Sequence, residues 1–103
     1  MTISGDTITL TDDEFCNYII YQNNKLNMNA CGEPTAIPEE EIPHIKDIMK
    51  YALSDFFKEY RTLTRIERKE ITEYMSVVFW DPSVKKLSDD KLKDLLRERA
   101  RRW

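Results

Sequence analysis

Apolar residues recur at steps of three and four over residues 43–60: Ile45, Ile48, Met49, Ala52, Leu53, Phe56, Phe57 and Tyr60. At 100° per residue they cover roughly half of a helix circumference, wider than the ~100° stripe of an ordinary surface helix. A face that wide must meet more than one neighbour, so the pattern predicts that 43–60 is the central helix of the fold. The same period gives Phe15, Cys16, Tyr18, Ile19, Ile20 and Leu26 one broad face, predicting a helix over about 12–26. A third face comprises Ile71, Tyr74, Met75, Val78 and Phe79, with Ile66, Val77 and Trp80 nearly opposite. The run 76–80 is also strongly strand-like, so the pattern leaves the end of that helix open. Leu92, Leu95, Leu96 and Trp103 share a face of a last helix, and Arg99 projects into the middle of it.

Punctuation between the periodic stretches agrees with this division. Thr11 with Glu14, and Thr64 with Glu67, have the spacing of a capping box, in which hydroxyl and carboxylate satisfy each other's backbone N–H groups. Ser88 is a good N-cap for the last helix, and Asp89 and Asp90 suit the positive end of its dipole. Pro43 fits a first helical position, with a helical turn at 38–41 before it and a long connection over 27–42. Residues 61–63 read as a plain connector, and Asp81-Pro82 ends the third helix. At the start, Thr2-Ile3 and Thr7 to Leu10 alternate around Ser4-Gly5-Asp6, a plausible hairpin that is marginal without a third strand. The expected fold is mainly α: a compact bundle of about four helices with a short N-terminal β-hairpin, all in one domain over 1–103.

Composition sharpens this picture. A chain of 103 residues can bury a core without metal or disulfide. With 34% charged residues, 2 Gly and 4 Pro, it is too poor in turn residues for a barrel or sandwich. No apolar run approaches the ~20 residues of a membrane span, and the first ten residues lack the basic start and apolar core of a signal peptide. The expectation is a cytoplasmic protein with no membrane association and no cofactor. The net charge of −3 is uneven: residues 1–60 hold 4 basic and 11 acidic side chains (−7), residues 61–103 hold 12 and 8 (+4). Such asymmetry marks either a partner surface or two halves that attract each other.

Candidate chemistry is sparse. Two cysteines, Cys16 and Cys31, and one histidine, His44, make neither paired zinc ligands nor a His-based dyad, and nothing near either thiol in sequence offers a base. The acidic set Glu33, Glu39, Glu40, Glu41 and Asp47 lacks the alternating ligands and turn glycine of a calcium loop. It can stabilise a helix start, or imitate phosphates towards a basic partner. At the other end, Lys85, Lys86, Lys91, Lys93, Arg97, Arg99, Arg101 and Arg102 form a basic stretch able to contact phosphates. Asp94 and Glu98 sit at helix-neighbour spacing from arginines and offset part of that field. Arg99, inside an apolar stripe, requires an internal acidic partner or a stripe that faces a second protein. A DNA-reading helix-turn-helix is disfavoured: 81–88 is too long for the turn, and no helix after 89 remains to enter a groove.

These readings point to a non-enzymatic interaction or regulatory module, a small inhibitor or adaptor acting through a preformed helical surface. A phage-type inhibitor of a nucleic-acid enzyme is one member of that class by size and charge pattern. The expected partner-binding residues are Trp80, Arg97, Arg99, Arg101, Arg102 and Trp103, with Glu39, Glu40, Glu41 and Asp47 as an acidic second patch; Trp and Arg are the residue types that dominate interfaces. The partner is another protein or a second copy of the chain. The rival expectation is nucleic-acid binding through the basic 85–102 segment.

Overall fold

A computed structural model describes residues 1–28 and 37–103. Cys31 and Glu33 therefore lie outside the described residues, as do the side chains of Leu26 and Lys85. The N-terminal ribbon is β1 (Thr2–Ser4) and β2 (Thr7–Thr9). Gly5 has a φ of +59°, the left-handed value that a two-residue hairpin turn of type II′ requires at its first central position. The hairpin acquires the third strand it needs from β3 (Thr62–Thr64), antiparallel to β2 in the order β1-β2-β3. Ile8 lies opposite both Ile3 and Leu63, so the inner face is a short aliphatic row. Ile8 and Leu63 are buried, while Ile3 on the edge strand stays exposed. On the outer face the Thr9 and Thr62 hydroxyls bond at 3.1 Å. Residues 61–63 are therefore more than a connector: Leu10 N–H donates to Arg61 O at 2.9 Å, and Thr-Leu-Thr continues the ladder.

Among the described residues there are five α-helices, one more than the pattern predicts, and four of them open where the punctuation does. α1 (Asp12–Met28) opens on the Thr11–Glu14 capping box, with Thr11 N–H to Glu14 Oε1 at 3.0 Å and Glu14 N–H to Thr11 Oγ1 at 3.2 Å. Its far end is tied to the chain after the connection, because the Asn24 side chain accepts from Ile37 N–H (2.9 Å) and donates to Ile37 O (3.2 Å). A 3-10 turn, Glu39–Glu41, then leads into α2 (Ile42–Ala52).

The predicted central helix is there, but it is divided. α2 ends at Ala52, Leu53 departs from helical angles (φ −114°, ψ 18°), and α3 (Ser54–Glu59) resumes. No Pro or Gly causes this bend; packing overrides the local helix preference. Leu53 is itself almost fully buried. The bend resolves the half-circumference of apolar residues into two faces, with α2 packed on α1 and on the last helix and α3 on α1. Phe56 and Phe57 thereby meet Phe15, with Phe57 stacked on it at 4.7 Å between ring centroids and Phe56 edge-on at 6.2 Å.

α4 (Arg65–Ser76) begins with the Thr64–Glu67 capping box and runs beside α1. Its last turn, left open by the sequence, is neither α nor strand but a 3-10 helix, Val77–Trp80, followed by a second, Pro82–Lys86. α5 (Asp89–Arg101) starts from Ser88 and packs against α2. Ile19, Met49, Leu53, Phe57, Ile71, Met75 and Leu96 fill the single core with Phe15. The buried hydroxyls of Thr72 and Ser76 donate back to the backbone oxygens of Arg68 and Glu73, each at 2.7 Å, so neither is left unsatisfied. Among the described residues, no helix is long and apolar enough to cross a membrane.

Candidate protein-docking face

Tightening of the chain at 77–80 exposes a face that an α-helix would distribute differently. With three residues per 3-10 turn, side chains at i and i+3 eclipse. Val77 and Trp80 consequently stand together on the solvent side, 36% and 45% exposed, while Val78 and Phe79 turn into the core. Asp81 ends the turn by taking an extended backbone and caps the next 3-10 helix by accepting from Ser83 N–H at 2.9 Å, a bond that lowers its carboxyl below the ordinary range. Along α4 the same outward line runs back through Glu73 and Glu70 to Ile66, which is largely exposed.

The end of α5 completes the face. Arg99 lies with its guanidinium carbon 3.6 Å from the centre of the Tyr74 ring. Its Nε donates to Tyr74 O at 3.1 Å, and the Tyr74 hydroxyl donates to Arg99 O at 2.8 Å. The arginine in the apolar stripe thus needs neither the acidic partner nor the second protein expected from the sequence. A ring face and a backbone carbonyl hold it. Trp103 also tilts against Tyr74, 5.0 Å between centroids, and remains 44% exposed.

Two open depressions meet at Val77. One, of about 290 Å³, lies between Val77, Val84 and Leu95, with Asp81, Glu98, Arg99 and Arg102 on its rim. The other, of about 450 Å³, is walled by Glu70, Glu73, Tyr74, Val77 and Trp80. Of the residues expected to bind a partner, the structure gathers Trp80, Arg99, Arg102 and Trp103 here. Arg97 lies elsewhere, 3.7 Å from Asp94 and 5.6 Å from the Tyr51 ring centre, where Lys93 also sits at 4.4 Å. Arg101 is exposed, with no carboxylate partner among the described residues. Arg102 pairs with Glu98 at 2.8 Å. The basic C-terminal run is therefore not one cationic surface.

Glu39, Glu40, Glu41 and Asp47 are all exposed and line neither depression. Glu41 instead borders a smaller cavity of about 210 Å³, near the contact of His44 Nε2 with Asp89 Oδ1 at 3.0 Å. Among the described residues no three His, Cys, Asp or Glu side chains come together as a metal site. Cys16 is sealed in the core, and burial pushes its thiol up to about 12. A thiol so held is not a nucleophile at neutral pH. Sequence reasoning placed Tyr74 and Leu95 on the apolar faces of their helices and did not single out Glu70 or Glu73. The exposed position of Val77 and Trp80 opposite the core face was the available signal for their stripe.

No protein family, curated protein or solved structure matches the chain.

Proposed function

We propose that the protein is a non-enzymatic interaction module that docks another protein through the face formed by the end of α4, the 3-10 turn after it and the end of α5. The observation that carries this reading is the contiguity of Val77, Trp80, Leu95 and Trp103, four exposed apolar side chains around an arginine already fixed on Tyr74. Large, rigid anchors cost little conformational entropy on binding, and Trp, Tyr and Arg carry most interface energy. A small inhibitor or adaptor acts in this way, by presentation of a surface.

Nucleic-acid binding is the weaker reading because the arginines it needs are engaged. Arg97 and Arg102 face carboxylates and Arg99 lies on a ring. The test is affinity capture from the native host with the wild type, Trp80→Ala/Trp103→Ala and Arg101→Ala, before and after nuclease treatment. A protein retained by the wild type and Arg101→Ala, resistant to nuclease, and lost with the tryptophan pair supports docking. Retention that disappears with nuclease, or falls steeply with salt, overturns it in favour of phosphate contacts.

A further inference from the structure

The outward line of α4 carries a binding pattern of its own. Ile66, Glu70, Glu73, Val77 and Trp80 follow each other at steps of four, three, four and three, and all except half-exposed Glu73 are exposed. The line is apolar at both ends and acidic in the middle, over about 23 Å at 1.5 Å per residue in the α-helix and 2.0 Å in the 3-10 turn. Neither Glu70 nor Glu73 has an ionic partner among the described residues, and both wall the depression against Trp80. A surface helix is normally polar on its solvent side. Here two unneutralised carboxylates stand between exposed Ile66 and the Val77–Trp80 pair. That arrangement repels phosphates and matches a cationic group whose flanks are greasy.

We propose that the occupant of this line is a basic amphipathic segment of a partner protein, with two Lys or Arg side chains between large aliphatic ones at helical spacing. The cations meet Glu70 and Glu73, their methylene stems lie on Val77 and the Trp80 indole, and the aliphatic ends cover Ile66 and the Val77–Trp80 pocket. This inference rests on the docking reading and names the chemistry of the partner.

The test uses the full chain and two fluorescein-labelled helical peptides of 18 residues. One presents a Leu-Arg-Arg-Leu ladder at steps of four, three and four on one face; the other has Glu in place of Arg. Fluorescence anisotropy at physiological salt is expected to favour the Arg peptide by about tenfold, the magnitude of two solvent-edge ion pairs. Glu70→Gln/Glu73→Gln, which keeps the shape, removes the preference, and Glu70→Lys/Glu73→Lys inverts it. Trp80→Ala weakens both peptides, with circular dichroism verifying the fold of each variant. Equal binding of the two peptides, or a preference that survives Glu70→Gln/Glu73→Gln, overturns the inference. If Trp80→Ala still weakens binding in that case, the docking face stands without its cationic partner. Binding indifferent to Trp80, or no binding of the Arg peptide at about 1 mM, removes both for this line.

Discussion

At the scale of single residues, two titratable groups report on packing in opposite directions. Asp13 accepts from Lys46 and Lys50 of α2, each at 2.8 Å, and these hydrogen bonds hold its carboxyl down at about 2 from the ordinary 3.8. A lowered folded value means stability that is present above about pH 4 and lost as pH falls towards 2. Thermal melts should therefore decline less between those pH values in Asp13→Asn than in the wild type, and added salt should narrow the gap because the carboxylate is half exposed. Cys16 behaves the other way. Its thiol is raised by burial from 9.0 to about 12, so the neutral form is stabilising below pH 9 and that contribution fades as pH rises from 9 to 12. In a Cys31→Ser background, Cys16 should resist alkylation at pH 8 in the native state and react fully in denaturant, as read by intact mass. Ready labelling of the native protein would contradict the sealed position.

At the scale of elements, what sequence revealed was local and what it hid was long-range. Both capping boxes, the Ser88 cap and the turn before α2 were legible, because each involves residues three or four apart. β3 was not, since three residues of Thr-Leu-Thr become a strand only when β2, some 53 positions earlier, offers its edge. The bend at Leu53 was invisible for a related reason: nothing in its own side chain breaks a helix, and Phe15 on another helix decides where Phe57 points. The docking face divides along the same line. Trp80, Trp103 and the oddly placed Arg99 announced themselves by type and phase, but the clamp joining Tyr74 to Arg99 spans 25 residues and two helices. Arg99→Ala removes a ring contact and a charged hydrogen bond, and the expected cost is about 1–3 kcal/mol. Urea unfolding with an unchanged slope and a lower midpoint would register it.

At the scale of the molecule, the charge asymmetry holds the halves together only sparingly. Arg61 with Asp12 at 2.8 Å and His44 with Asp89 at 3.0 Å are the carboxylate pairs that cross between the halves among the described residues, the first half-exposed and the second exposed. Exposed pairs of that kind are each worth at most about 1 kcal/mol. Cohesion comes instead from the aromatic and aliphatic core. Phe57→Ala should cost about 3–5 kcal/mol, a large part of the 5–15 kcal/mol typical of a small domain, and calorimetry should show a much earlier melt that remains one transition.

The three-stranded ribbon has a consequence for synthesis. Its middle strand, at residues 7–9, takes one neighbour from the beginning of the chain and the other from 62–64. A nascent polypeptide emerging from the ribosome holds the first pair early, yet the seam stays unzipped until well over half of the protein has been translated. Ile71 and Met75, which close the core beside α1, arrive later still. Folding must therefore wait for the late segments, and stalled or prematurely terminated products would be sticky and short-lived.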